Sequence, residues 1–207
     1  EEFLRGLALP AVAPFTPTVR FATEPEEPYP YDPEAARALL EEAGVQSLDL
    51  RIDIYQNPEL ESIAQVLQAM LADVGINLDI RVQEYAAYVE STQSPDTELY
   101  ATTWGTVTLD ADYTLFAFLH SSEIPQNNIS RYSNPEVDAL LEEGRGNPEE
   151  AERASAYQAV QEQALEDVPL VTLYYPLSTY AKRETLEGEQ ILFSWINLDL
   201  RDARLTE

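Results

Sequence analysis

Residues 48–82 carry the pattern that most restricts the fold of this chain. Apolar and polar residues alternate over 48–54 and again over 76–82, which is the period of a β-strand. Between them, apolar residues recur with helical spacing over 63–74, after a helix start at Asn57-Pro58. Two strands joined by one helix are expected to be parallel, with a right-handed crossover. The segment therefore predicts an α/β fold.

The residues before this unit predict an extended start and one short helix. Six prolines occupy the first 31 residues, so no helix is expected there. Asp32 then offers an N-cap and Pro33 a first helical residue, and the apolar face over 35–43 ends at Gly44.

The remainder of the chain predicts further elements of both kinds around a single compact unit of 207 residues. Residues 120–133 are expected to form a polar loop, and residues 186–207, with Ile191, Phe193 and Ile196, are apolar enough to pack but show no clear period. The predicted elements are a strand over Leu99–Trp104, a helix over Tyr113–Leu119 capped by Asp110 or Asp112, helices starting at Asn134-Pro135 and Asn147-Pro148, the second running to about Asp167, and a buried strand over Val168–Tyr175.

The charge of the chain excludes several classes of partner. Acidic residues number 38 and basic residues 12, which gives a net charge of −26. The longest basic run is Lys182-Arg183, so neither nucleic acid nor an anionic membrane surface is expected as a partner. One lysine stands beside eleven arginines, a composition that resembles the proteins of salt-loving archaea. We therefore expect a halophilic domain that loses structure when salt is removed.

Few residues are available for catalysis or for binding a metal. The chain has no cysteine, and His120 is the single histidine. No nucleophile motif accompanies it, and its neighbours Leu119 and Ser121 indicate an ordinary helix end. The seven glycines form no phosphate-binding loop, and no run of 18 apolar residues could span a membrane. We expect no metal, no cofactor and no membrane insertion of this segment.

Asp110 and Asp112 could in principle serve as general acid and general base, although such pairs arise freely in a chain with 38 acidic residues. A cap on the helix that follows is the favoured role, because Asp is a preferred N-cap residue. A calcium site is disfavoured, because the spacing lacks the order of an EF-hand loop.

Trp104 is the best candidate for a ligand contact. It ends a predicted strand, and α/β sheets bind ligands at the carboxyl ends of their strands. An aromatic side chain there suits a sugar ring or a peptide side chain, and it suits core packing equally well. The segment 127–132 is rich in hydrogen-bonding groups and forms either part of such a site or an ordinary surface turn.

Four sequence segments, taken in their order along the chain, resemble the extracellular solute-binding proteins of family 5, which serve peptide, nickel and oligosaccharide ABC importers. The similarity covers residues 29–185 and lies in the joint order of the phrases. They are YDPEAARALLEEAG at 31–44, IAQVLQAMLADVGINLDI at 63–80, RYSNPEVDALLEEG at 131–144 and ERASAYQAVQEQALEDVPLVTLYY at 152–175.

The resemblance implies a lobe of the type II periplasmic-binding-protein fold, a mixed sheet with helices on both faces. Residues 1–31 would be an extended hinge segment, 32–185 the second lobe and 186–207 a return segment. A first lobe, with any lipid anchor, would precede Glu1, so the protein is expected outside the cell as a lipoprotein on the outer face of the membrane. It would be a monomer and not an enzyme, capturing a small-molecule or oligopeptide solute for an importer permease.

The resemblance also implies a set of ligand-binding residues. Family members that bind peptides carry an aspartate three residues after the tryptophan, where this chain has Val107, so ordinary dipeptides are less favoured than oligosaccharides or other solutes. The rival functions are an extracellular carbohydrate-active enzyme using Asp110 and Asp112, and an adhesive or scaffold domain. The expected ligand contacts are Trp104, Thr106, Val107, Thr108, Asp110, Asn127, Asn128 and Arg131.

Overall fold

A computed structural model describes residues 6–23, 29–179, 181–192 and 197–206. The contacts divide the chain into two compact units: unit 1 is Glu1–Glu26 with Gly105–Glu207, and unit 2 is Glu27–Trp104. The expectation of a single compact unit is therefore corrected to two. The division after Trp104 falls inside the segment 32–185 that was predicted as one lobe, and the lobe and hinge boundaries remain predictions.

The elements follow one another in a mixed α/β order. The described strands are β1 (Ala8–Pro10), β2 (Leu48–Tyr55), β3 (Ile76–Gln83), β4 (Leu99–Tyr100), β5 (Tyr174–Pro176), β6 (Leu186–Glu187), β7 (Gln190–Leu192), β8 (Asn197–Asp199) and β9 (Arg204–Leu205). The described α-helices are α1 (Pro33–Glu42), α2 (Pro58–Ala72), α3 (Tyr85–Thr92), α4 (Ala111–Leu119), α5 (Pro135–Gly146) and α6 (Glu150–Asp167). Among the described residues, no helix is both long and apolar enough to cross a membrane.

Unit 2 is built on the predicted β-α-β unit. β2 and β3 pair in parallel from Leu48 with Ile76 to Tyr55 with Gln83, and β4 joins the other side of β2, also in parallel. Asn57 caps α2, because its side chain accepts from the N–H groups of the second and third helical residues at 2.9 and 3.2 Å. The two parallel strands and the connecting helix predicted for 48–82 are confirmed, and the handedness of the crossover stays a prediction.

The two faces of this sheet are covered in different ways. Ile52 and Ile54 pack with Ala64 of α2 on the apolar face. Asp53 points to the opposite face, is fully buried, and accepts a hydrogen bond from Arg81 and one from Gln83 at 3.1 Å. The Gln83 side chain also donates to Ser91 of α3 at 2.8 Å, so a second helix lies on this face. Helices on both faces were expected, although α3 itself was not.

The core of unit 1 joins the N-terminal segment to residues far along the chain. Phe15 and Val19 are buried with Leu115 of α4, Leu141 of α5 and Tyr157 of α6. β1 pairs antiparallel with β5, and the backbone at Arg20 exchanges hydrogen bonds with Leu109 and Ala111. The described part of the proline-rich start, residues 6–23 and 29–31, is non-helical, as predicted, and it contributes a strand and core residues.

Three local predictions are wrong. The third strand is limited to Leu99–Tyr100, so Trp104 lies four residues beyond it. The strand predicted over 168–175 is reduced to β5, because Val168 takes a left-handed conformation that ends α6 and Val171 is exposed. Asn147-Pro148 lies in the α5–α6 connection, and α6 begins at Glu150.

The C-terminal residues form two small antiparallel ladders. β6 pairs with β9 and β7 with β8. Ile191 lies within β7, whereas Phe193 and Ile196, which were expected to pack, lie outside the described residues.

Alkaline pH is expected to destabilise the fold through its buried tyrosines. Burial raises the pKa of Tyr157 and of Tyr132 to about 12, and it also raises the pKa of Tyr88. An unfolded tyrosine ionises near pH 10, so the folded state holds these protons more tightly than the unfolded state does. The stability that this contributes is complete below about pH 10 and is lost as the pH rises toward about 12.

Urea unfolding at constant molar salt, repeated across this pH range, measures the effect. Tyr157→Phe is expected to reduce the decline, whereas Tyr29→Phe, at an exposed position, should leave it unchanged. A free energy of unfolding that stays constant to about pH 12 would contradict the prediction.

Candidate functional site

Aromatic residues gather at the carboxyl end of the sheet in unit 2. The Tyr55 ring, at the end of β2, lies 5.5 Å from the Tyr85 ring and 5.3 Å from the Tyr88 ring, both on α3. The hydroxyls of Tyr55 and Thr103 are 3.0 Å apart, and Trp104 follows directly with 38% of its surface exposed. We call Tyr55, Tyr85, Thr103 and Trp104 the aromatic edge. It offers ring surfaces to a ligand where parallel sheets place their binding crevices.

The predicted contacts that follow Trp104 belong to unit 1. The hydroxyls of Thr106 and Thr114 are 2.7 Å apart, which ties the start of the loop to α4. Val107 and Thr108 are exposed at the loop tip, and Leu109 has a positive φ of 55° where the chain turns into the helix. Residues 106–109 therefore present hydroxyl and apolar groups, but no charge.

Asp110 and Asp112 are each held by an arginine. Asp110 caps α4 by accepting from the Asp112 N–H at 3.1 Å, and both of its oxygens lie 3.0 Å from an Nη2 of Arg153. Asp112 receives bonds of 3.0 to 3.2 Å from Arg145 and one of 3.0 Å from the Tyr157 hydroxyl. The predicted cap is confirmed for Asp110. Both carboxylates are therefore engaged by side chains of α5 and α6.

A pocket of about 360 Å³ opens beside these ion pairs, entirely within unit 1. Tyr113 and Phe116 of α4 supply its aromatic surface, and the Arg145 guanidinium lies 3.3 Å from the centroid of the Phe116 ring. Glu123 and Asn127 supply polar groups from the following loop. We call this cavity the α4 pocket. Thr108 and Asp110 also line it, so it adjoins the predicted ligand loop.

The three predicted contacts in the 127–131 segment have different surroundings. Asn127 lines the α4 pocket. Asn128 is fully buried, donates to the carbonyls of His120 and Tyr132 at 3.1 and 2.8 Å, and accepts from the Tyr132 N–H at 3.1 Å. Arg131 has a positive φ of 57° and donates to the Ile129 carbonyl at 2.9 Å. These bonds give Asn128 a structural role, so we do not carry it forward as a ligand contact.

His120 closes α4 rather than forming part of a catalytic group. Its Nδ1 accepts from the Ser122 N–H at 3.1 Å, and its Nε2 lies 3.5 Å from a Glu142 oxygen. The ring stacks on Phe116 with a centroid distance of 4.1 Å. Across the described residues, no group of three or more His, Cys, Asp or Glu side chains is arranged to hold a metal.

Several residues of these sites were not predicted from the sequence. Tyr55 ends β2 and Tyr85 follows β3, so the rule for carboxyl ends of parallel strands could have identified both. Glu123 and Arg145 have no such signal. Their approach to the pocket depends on how the loop and α5 pack on α4.

Comparison with known proteins decides the family. A family model described as "Bacterial extracellular solute-binding proteins, family 5 Middle" matches residues 1–126. The chain belongs to this family. Di/tripeptide-binding protein 4 of Pseudomonas aeruginosa (strain UCBPP-PA14) is 33% identical over 191 residues, which cover 88% of this chain and 36% of that relative. The family expected from the sequence phrases is confirmed.

Solved structures of family 5 proteins confirm the fold. The ABC transporter-associated periplasmic binding protein DppA from Helicobacter pylori, in complex with the peptide STSA, is 30% identical with a TM-score of 0.76, over 84% of this chain and 36% of that one. HbpA2 from Haemophilus parasuis matches with a TM-score of 0.84 over 98% of this chain and 41% of that one, and at 22% identity it shows the fold alone. The α/β lobe of a periplasmic binding protein is thus confirmed, and the chain spans well under half the length of these relatives.

Proposed function

We propose that this chain forms part of a protein that captures a solute outside the cell and delivers it to the permease of an ABC importer. Membership of family 5 carries the proposal. The aromatic edge supports it, because partly exposed rings at the carboxyl end of a parallel sheet suit a binding cleft. The rest of the ligand contacts would come from parts of the protein beyond this chain.

The solute that we propose is a short peptide. A curated relative is named a di/tripeptide-binding protein, and the H. pylori relative was solved in complex with the peptide STSA. Oligosaccharides, which the sequence favoured because of Val107, receive no support from these relatives. Trp104, Thr106, Val107, Thr108, Asp110, Asn127 and Arg131 remain proposed ligand contacts.

We propose binding without catalysis. A general acid must reach its substrate with a free oxygen, and the oxygens of Asp110 and Asp112 are instead engaged by Arg153 and Arg145. No observation favours the carbohydrate-active enzyme or the adhesive domain. A lipid anchor, an outer-face location, a monomeric state and a halophilic source are further parts of this proposal, the last supported by the net charge of −26.

Calorimetric titration of the full-length protein in molar salt tests the function. A pool of di- to tetrapeptides is expected to bind, and a pool of oligosaccharides is not. Trp104→Ala should weaken peptide binding by about tenfold or more, since a buried aromatic contact is among the strongest at an interface.

Tyr31→Ala is the matched control, because Tyr31 is an exposed aromatic residue of unit 2 outside the aromatic edge. The affinity of the Tyr31→Ala variant for the peptides should equal that of the wild type. Binding of oligosaccharides alone would correct the solute class, and a folded protein that binds neither pool would contradict the proposal.

A further inference from the structure

A charged residue lies on the face of β2 that packs against α3. Asp53 is fully buried there, although a carboxylate loses its solvation by water when it is buried. One of its oxygens accepts a hydrogen bond from Arg81 and one of 3.1 Å from Gln83, and the other lies 3.8 Å from Nε of Arg51. An apolar residue would cover this face at a lower cost, so packing alone does not explain the charge.

The buried carboxylate is linked to α3 through one side chain. The Gln83 nitrogen that donates to Asp53 also donates to the hydroxyl of Ser91 at 2.8 Å. The Ser91 hydroxyl in turn donates to the Tyr88 carbonyl at 2.9 Å, within the helix. α3 has eight residues, and a helix of that length is not stable in isolation, so its position depends on such contacts with the sheet.

The backbone of Asp53 holds the other part of the aromatic edge. Its carbonyl accepts from the Ala101 N–H at 3.1 Å, and the Ala101 carbonyl accepts from the Tyr88 hydroxyl at 3.1 Å. Thr103 and Trp104 follow along the same segment. One buried residue is thus bonded, directly or through one side chain, to both of the segments that flank β2 in the aromatic edge.

Tyr85 is the member of the aromatic edge that depends most on the position of α3. It is the first residue of the helix, and 62% of its surface is exposed, so little packing fixes its ring. Its described ring contacts are with Tyr55 and Tyr88, at 5.5 and 6.3 Å. A shift of α3 would therefore move the Tyr85 ring relative to Tyr55, which belongs to β2.

We propose that Asp53 is a positioning residue for solute binding: through Gln83 and Ser91 it fixes α3, and so it sets where the Tyr85 ring meets the solute. The inference rests on the proposed function, because it takes the aromatic edge as a solute-binding surface. Asp53 does not itself touch the solute, since it is fully buried. A charged group in the interior favours one arrangement of its partners, and a surface arranged in advance loses less freedom when it binds.

Calorimetry of the full-length protein in molar salt, with a peptide taken from a pool of di- to tetrapeptides, tests this role. Gln83→Met removes both hydrogen bonds at a similar side-chain volume, and it should weaken binding by about three- to tenfold. In a Tyr85→Ala background the same substitution should change the affinity by less than about twofold, because the ring through which it acts is absent. A general loss of structure would weaken binding by the same factor in both backgrounds.

Gln68→Met is the matched control. The Gln68 side chain donates to the Leu78 carbonyl at 2.5 Å, so the same chemical change removes a hydrogen bond between α2 and β3, away from α3. The affinity of this variant for the peptide should equal that of the wild type. At the carboxylate itself, Asp53→Asn keeps an oxygen that can accept from Gln83, and it should retain more affinity than Asp53→Leu.

Several results would overturn the positioning role while leaving peptide capture intact. They are unchanged binding in Gln83→Met, an equal loss with and without the Tyr85 ring, an equal loss in Gln68→Met, or an Asp53→Asn affinity no higher than that of Asp53→Leu. If the wild type bound no peptide of the pool, the proposed function would fail, and the positioning role with it.

Discussion

Transfer from molar salt to about 0.01 M salt is expected to unfold this protein. Its 38 acidic and 12 basic residues leave a net charge of −26, and the carboxylates repel one another in the folded state. The Debye length is about 3 Å at 1 M salt and about 30 Å at 0.01 M. After dilution, each carboxylate is therefore repelled by many others that were screened from it before. Compact states with such a charge are destabilised by this self-repulsion.

Circular dichroism during stepwise dilution of potassium chloride measures this transition. Both the helical signal and the near-ultraviolet signal should be lost together, and both should return when salt is restored. Sucrose added at low salt provides the control, because it favours the folded state without screening charge. Spectra that remain unchanged at about 0.01 M salt would contradict a halophilic fold.

Asn128→Ala is expected to be the most damaging single substitution of a polar residue described above. The side chain makes two hydrogen bonds to carbonyls at 3.1 and 2.8 Å, and it accepts from the Tyr132 N–H and the Ser130 hydroxyl at 3.1 and 3.0 Å. Its removal takes one hydrogen bond from each of these backbone groups, although the His120 carbonyl keeps the Glu123 N–H at 3.1 Å and the Tyr132 N–H keeps the Ser130 hydroxyl at 3.4 Å. We expect a cost of about 2 to 4 kcal/mol. Urea unfolding at constant molar salt measures the change.

The neighbouring residue provides the matched control. Asn127 is partly exposed and donates one described hydrogen bond, to Glu123, so Asn127→Ala should cost less than about 1 kcal/mol. If the two substitutions had equal effects on the free energy of unfolding, Asn128 would not organise the loop as we infer.

The fold of unit 2 could be predicted because its signals are local. Alternation over 48–54 and 76–82, and the cap at Asn57-Pro58, depend on residues within a few positions of one another. α3 was missed because its start at Glu84 has no proline and Glu is not among the preferred caps, although the Glu84 side chain does accept from the Ala86 N–H at 2.9 Å. Local sequence patterns therefore identify a helix or strand only where it carries a preferred cap residue, a proline at its first turn or a clear apolar period.

The two failures in unit 1 have different causes. The apolar run over 168–175 has the composition of a buried strand, yet its only described strand partner is the three-residue β1, so most of it stays outside a sheet, and Val168, Val171 and Leu173 are exposed. Asn147-Pro148 resembles the start of a helix, but Asn147 is the C-cap of α5. Its side-chain oxygen accepts a hydrogen bond from the Glu149 N–H at 2.9 Å. The first failure reflects the lack of a longer partner strand, and the second reflects the way in which α5 ends.

The candidate site shows the same limit. Trp104 and the loop after it were identified from their place in the α/β order, and Asp110 from its capping position. The sequence could not show that Arg153 pairs with Asp110 and Arg145 with Asp112, since 43 and 33 positions separate the respective partners. Nor could it distinguish Asn127, which faces a pocket, from Asn128, which is buried beside it.

The discontinuous make-up of unit 1 has a consequence for how such a protein can vary. Unit 2 occupies one continuous stretch, Glu27–Trp104, whereas unit 1 needs chain from both sides of it. Phe15 and Val19 fill the core formed by α4, α5 and α6, so residues 105–207 by themselves would leave that core open. Unit 2 is in effect a cassette set into unit 1. Recombination that exchanges the whole cassette between relatives would replace the aromatic edge while preserving the α4 pocket.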